Sequence, residues 1–198
     1  MEEQALLPIE DPIELHDDWD GVVEEFRAHE LYPELFRKAF GIDDRTEITK
    51  ELAAKALAQF ERIMISSGNS KFDRVLRGEA FFTIDELNGY DMFFDNVATL
   101  PDAECGHCHN VPLMTTNEYE NNGLIEAATL NDFKDIGHGA VTGDPFDNGT
   151  FRVPTLRNIS LTAPYMHDGR FETLEEVIDH YNSGGKDSPN KNSLIYPL

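Results

Sequence analysis

The chain has 198 residues, 40% hydrophobic and 27% charged, which fits one soluble globular domain or a domain with extensions and excludes disordered or collagen-like composition. Its 16 Lys and Arg against 38 Asp and Glu leave a formal charge of −22, which repels nucleic acid over most of the surface and reads first as a simply acidic, solvated surface, with steering of a basic macromolecular partner as the alternative. No stretch reaches the ~20 apolar residues of a membrane helix; the nearest, residues 53–65, is broken by Lys55, Gln59, Glu61 and Arg62. The start, Met-Glu-Glu-Gln, has no basic region followed by an apolar one, so the chain as written carries no secretory signal.

In chain order, residues 4–15 hold two prolines and no helical period and read as an irregular segment lying against something else. Val22, Val23 and Phe26, then Leu31, Leu35, Phe36 and Phe40, predict two short helices broken near Pro33 and closed by Gly41. The strongest helical pattern is residues 49–66: a Thr49 cap, an apolar face of Leu52, Ala53, Ala56, Leu57, Phe60, Ile63 and Met64 expected to be core, and Gly68 as the stop. A further short helix is expected within residues 81–96, with Asp85 as its cap and Leu87, Tyr90, Phe93 and Phe94 as its stripe. Residues 118–150, rich in Asn, Gly and Asp, predict a long loop region of the kind that wraps a ligand. The last helix opens on a capping box, Thr173 and Glu176, runs through Leu174, Val177, Ile178 and Tyr181, and stops at Gly184 and Gly185. Alternating strand patterns are scarce, so the class is mainly α.

Two cysteines cannot form a disulfide framework, and Cys105 and Cys108 are too close in sequence to staple distant segments. With Gly106, His107 and His109 they form a C-x-x-C-H run, the attachment pattern of a covalent c-type haem: two thiols add to the porphyrin vinyl groups and the next imidazole, His109, becomes an iron ligand. A half zinc site would need a second ligand pair, which His138, His167 and His180 do not supply, and a redox dithiol would need a βαβ setting. The sixth iron position has two downstream candidates, each also readable as ordinary core: Met166, in the loop Ala163-Pro-Tyr-Met-His-Asp-Gly169, and Tyr181, on the inward face of the last helix. Arg152, Arg157 and Arg170 are candidate partners of haem propionates.

The run from Phe151 to Gly169, followed by Thr173-Leu-Glu-Glu-Val and His180-Tyr-Asn182, resembles the C-terminal haem domain of bacterial dihaem cytochrome c peroxidases and MauG-like enzymes. With the C-x-x-C-H run and the opening Glu3-Gln-Ala-Leu-Leu-Pro8 to Glu14, the resemblance covers essentially the whole chain. It implies a cytochrome c-like helical haem domain with long irregular loops. It favours Tyr181 over Met166 as axial residue, since that position is methionine in typical peroxidases and tyrosine in MauG-like members. It also implies a bridging calcium that takes the backbone carbonyls of Thr162 and Pro164. Gln4, Pro8 and Glu14 match the loop over the peroxide-binding haem, where a glutamine orients the peroxide and a glutamate moves a proton between its oxygens.

The family carries two C-x-x-C-H runs and this chain one. The resemblance therefore implies a chain truncated at both ends: residues 1–18 form the distal segment of a missing N-terminal haem site, and residues 19–198 the C-terminal haem domain without its final helix. The tryptophan between the haems has no counterpart, since Trp19 stands in the wrong place, and neither has the calcium-binding asparagine of the N-terminal domain. The implied function is reduction of hydrogen peroxide to water in the periplasm, with electrons from a small cytochrome c or another donor. The alternatives are MauG-like oxidation of a protein or small-molecule substrate and, for the isolated chain, a single-haem electron carrier without peroxidase activity. A haem-free helical domain is the bland alternative.

Overall fold

The computed structural model describes residues 1–198, which divide into two compact units, Met1–Ser67 and Gly68–Leu198. The boundary expected at residues 18 and 19 falls inside the first unit.

The first unit is wholly helical. A 3-10 turn, Gln4–Leu6, leads into the one-turn helix α1, Leu7–Glu10, then α2, Trp19–Ala28, α3, Tyr32–Phe40, a second 3-10 turn, Arg45–Glu47, and α4, Lys50–Ile63. The opening segment is thus more regular than its prolines suggested, because Pro8 occupies the first turn of α1, where no backbone N–H is needed. Trp19, Val23, Phe36, Ile48 and Ala53 form the core, ringed by Leu6, Ile9, Val22, Phe26, Phe40, Ile42 and Leu52. The Trp19 indole N–H donates to the Leu6 carbonyl at 2.9 Å and ties the opening turn to this core. The Asp18 carboxylate accepts from the Gly21 N–H and caps α2, Pro33 sits in the first turn of α3, and Gly41 ends α3 at φ 70.

Thr49 caps α4 as expected, but the helix ends at Ile63 and the face expected as core is largely exposed. Ala53, Ala54 and Ala58 are buried, whereas Phe60 is 61% and Ile63 66% exposed, with Leu57 and Met64 also in solvent. The physical reason is backbone proximity: α4 packs on the opening turn and on α2 through its alanine stripe. The methyl groups let the backbones approach, and the larger residues are left on the far side.

In the second unit α5, Lys71–Leu76, and α6, Ile84–Phe93, precede the single turn α7, Cys105–Cys108. Residues 118–150 are mostly loop, as expected, holding only β1, Tyr119–Glu120, α8, Gly139–Thr142, and a 3-10 turn at Pro145–Asp147. β1 pairs antiparallel with β2, Phe151–Arg152, in the register Tyr119 to Arg152 and Glu120 to Phe151. A last 3-10 turn, Ile159–Leu161, leads to α9, Leu174–Asn182. Leu124, Ala127, Phe133, Val153 and Tyr165 are the buried apolar residues of the second unit. The cap of α6 is Thr83, paired with Glu86, rather than Asp85, and α9 has the Thr173 and Glu176 box. α5 is an element the apolar pattern did not announce; its Ser70 and Asp73 box was the available signal.

Asp73 does more than cap. Nearly buried, its carboxylate accepts from Ser70 N–H and from both terminal nitrogens of Arg157, at 3.1 and 2.9 Å. Arg157 also donates to the Pro112 carbonyl, so the pair fastens α5 to the loop after the C-x-x-C-H turn. Hydrogen bonding to Arg157 and then to Ser70 holds the Asp73 carboxyl far below the ordinary carboxylate range. A depressed folded value means that the stabilisation is fully present above the unfolded pKa of about 3.9 and is lost as pH falls through the still lower folded value. Asp73→Asn is therefore expected to lower the thermal midpoint at pH 7 by several degrees and to flatten the acid limb below pH 4, in melts followed by circular dichroism.

Candidate haem site

α7 places Cys105 and Cys108 on one turn with His109 at its C-terminal end. The turn sits close against α6: a Cβ at Gly106 would lie 2.7 Å from Phe94 Cδ1 and 3.0 Å from the Phe93 carbonyl oxygen. The first is shorter than real Cβ contacts and the second is tighter than most of them, so a side chain here would have to displace the aromatic helix end. Phe94 in turn belongs to a cluster with Phe72, Tyr90 and Phe93, ring centroids 4.8 to 6.4 Å apart. Gly106→Val is expected to reduce the yield of folded chain and to lower its thermal midpoint more than Gly89→Val on the open face of α6, where a Cβ meets nothing within 4 Å.

Both cysteines are free thiols, partly buried. Burial pushes the Cys105 thiol up to about 11 and raises Cys108 as well. A redox dithiol depends on a lowered thiol pKa, so this turn lacks the electrostatics of one. The His109 ring is also partly buried, which lowers its pKa, while the Met114 and Pro154 carbonyls pull the other way. Its Nδ1 lies 3.1 Å from the Met114 carbonyl oxygen, where it acts as donor. A carbonyl oxygen only accepts, so Nδ1 carries the hydrogen in that contact, the second-contact arrangement usual for a histidine that ligates a metal through Nε2.

Across the second unit, α9 carries Tyr181, whose phenol is raised by burial, partly offset by hydrogen bonding from Asn122; the Cys105 and Cys108 thiols are within electrostatic reach of it. Met166 is held in the turn between Tyr165 and Phe171, which pair through their backbones, at φ 72. The structure thus brings both sequence candidates for the sixth position to one place: the Asn122 amide nitrogen is 3.4 Å from Met166 Sδ and 3.5 Å from Tyr181 Oη. Asn122 was missed by sequence reasoning, hidden in an Asn-rich loop with no helical pattern. The inward face expected for α9 is narrower than its pattern, since Ile178 is 55% exposed.

The arginines expected at haem propionates have other partners. Arg157 binds Asp73, Arg170 binds Asp168 and the Leu124 carbonyl, and Arg152 donates to the Asn117 side-chain oxygen. Thr162 and Pro164 lie exposed beyond the Ile159–Leu161 turn, where the Tyr165 hydroxyl donates to the Ile159 carbonyl at 3.0 Å. No cluster of three or more His, Cys, Asp or Glu side chains is arranged to hold a metal ion, although a calcium bound by backbone carbonyls needs none. Gln4 and Glu14 are exposed residues of the first unit, and Pro8 lies in α1.

Two protonated thiols on one turn, an imidazole beside them and a half-buried phenol and thioether in the same unit define a helical domain suited to a c-type haem. A family profile described as di-haem cytochrome c peroxidase matches residues 1–81. The chain is 36% identical over 180 residues to cytochrome c551 peroxidase of Nitrosomonas europaea, covering 90% of this chain and 50% of that protein. It is 34% identical over 204 residues to methylamine utilization protein MauG of Methylorubrum extorquens, covering 100% of this chain and 53% of that one. Among solved structures, a MauG-like protein associated with microbial copper homeostasis superposes with a TM-score of 0.79 at 34% identity, over 98% of this chain and 62% of that one. The chain belongs to the dihaem cytochrome c peroxidase and MauG-like family, whose members are haem oxidoreductases, and it spans about half the length of the curated relatives it matches. No helix is long and apolar enough to cross a membrane.

Proposed function

We propose that this chain is the electron-entry half of a dihaem peroxidase that reduces hydrogen peroxide to two waters, consuming two electrons and two protons. The observation that carries the reading is the pairing of the Cys105-x-x-Cys108-His109 turn with an Asn122-linked Tyr181 and Met166 in the same unit. A haem with both axial positions filled moves electrons and leaves no room for peroxide. When bound, the haem would supply one-electron transfer; Cys105 and Cys108 would hold it by thioethers, and His109 and Tyr181 would ligate its iron. Gln4 would orient peroxide at the second haem site and Glu14 would carry the proton from one peroxide oxygen to the other.

Under the same proposal the Thr162 and Pro164 carbonyls would supply two ligands to a calcium, a small reduced cytochrome c is the donor, and the protein works in the periplasm. MauG-like oxidation of a protein or small molecule is the second reading, favoured by a tyrosine at position 181. The test is peroxide-dependent oxidation of a reduced small cytochrome. The haem-loaded chain alone is expected to stay near background, because it carries one C-x-x-C-H run. The chain joined to an N-terminal haem domain is expected to turn over, and Glu14→Gln to depress that activity by roughly 10²-fold or more. Robust turnover by the chain alone that vanishes with Glu14→Gln would show that the open site had been misassigned.

A further inference from the structure

Asn122 touches both residues that could take the sixth position. A primary amide has two N–H donors, and this one lies 3.4 Å from Met166 Sδ and 3.5 Å from Tyr181 Oη. Its position is fixed from both sides of the α9 terminus. The Asn122 carbonyl accepts from His180 Nε2 at 3.0 Å, and the Gly123 carbonyl accepts from the Lys186 N–H at 2.7 Å. The preceding Asn121 is buried, donating to Ser188 Oγ and Asn190 Oδ1 while its own side-chain oxygen accepts from the Gly123 N–H. The amide is therefore anchored to the helix that carries Tyr181. Met166 is presented by an independent turn, closed by the Gly169 N–H to the Met166 carbonyl.

The two acceptors differ in chemistry. A coordinated phenolate oxygen carries negative charge, and a hydrogen bond to an ionised acceptor is about twice as strong as one between neutral groups. A thioether sulfur is a weak acceptor and gains little from the same donor. We propose that Asn122 is a positioning residue that selects the axial ligand: its amide favours Tyr181 on the iron and keeps Met166 as a reserve ligand that takes over when the donor is lost. The proposal rests on Tyr181 being the axial residue of the haem-loaded chain.

The experiment compares haem-loaded wild type, Asn122→Leu and Asn122→Asp, each with and without Met166→Leu, by near-infrared absorption, electron paramagnetic resonance and redox titration. Asn122→Asp has the size of asparagine, keeps the backbone contacts and cannot donate as a carboxylate, so it serves if the leucine variant folds poorly. The wild type is expected to lack the sulfur-to-iron charge-transfer band of methionine ligation. Both Asn122 variants are expected to gain it with an upward shift in potential, and Met166→Leu is expected to abolish the gain. If the wild type is tyrosine-ligated and the variants keep its spectrum and potential, or lose low-spin iron without a sulfur band, the selection role is overturned. A sulfur band already present in the wild type, unchanged by Tyr181→Phe, overturns the Tyr181 assignment itself and the selection role with it.

Discussion

Passed through an export pathway that attaches c-type haem, the chain is expected to emerge with one haem that acid-acetone does not extract. The expectation follows from the kind of bond. Thioether carbon–sulfur bonds survive unfolding, whereas a histidine or tyrosine bond to iron is lost once the protein no longer holds its geometry. Both thiols are free, lie on one helical turn and are held in the protonated form by burial. They are thus protected from ionisation and from the easy oxidation that a lowered pKa brings. Cys105→Ala with Cys108→Ala is expected to reduce covalent haem from one per chain to none, read as haem-stained protein after denaturing electrophoresis. Haem released into acid-acetone from the intact wild-type chain would sink the idea, and stoichiometric zinc in its place would revive the metal-dithiolate reading.

Much of this arrangement is legible in the sequence. The C-x-x-C-H run is a local covalent signature, and the capping boxes and the Gly41 stop are short-range rules that need only neighbouring residues; α9 begins after Thr173 for that reason. What sequence did not disclose depends on which surfaces meet. The pattern in α4 marks an apolar face but not the partner's depth, so the alanines went inward and Phe60 and Ile63 outward. Arg157 reads as a propionate partner until Asp73, 84 residues away, is found beside it. Asn122 carries no pattern at all; its role comes from a loop closing on the end of α9, 58 residues later, through His180.

Tyr181→Phe is expected to remove the ferric signature of a phenolate-ligated haem, and Met166→Leu to leave it intact. The helix sets up the difference: the Thr173 and Glu176 box fixes where α9 begins, and two turns on the phenol is buried, facing Asn122 and within electrostatic reach of the two cysteines. Burial alone raises the phenol pKa and keeps the proton on. A ferric ion offsets that cost, because a bound cation is the largest local charge and inverts the local pKa order. The same substitution should raise the reduction potential, since an anionic ligand stabilises the ferric state and a thioether does not. With the phenol gone, the Met166 sulfur beside the same amide is the available replacement, so Tyr181→Phe is expected to gain a sulfur charge-transfer band. Only the double variant with Met166→Leu should leave five-coordinate, high-spin iron. Loss of the wild-type low-spin spectrum in Met166→Leu alone, with Tyr181→Phe unchanged, would reverse the assignment and place the chain closer to an ordinary electron-transfer cytochrome domain than to the MauG-like branch.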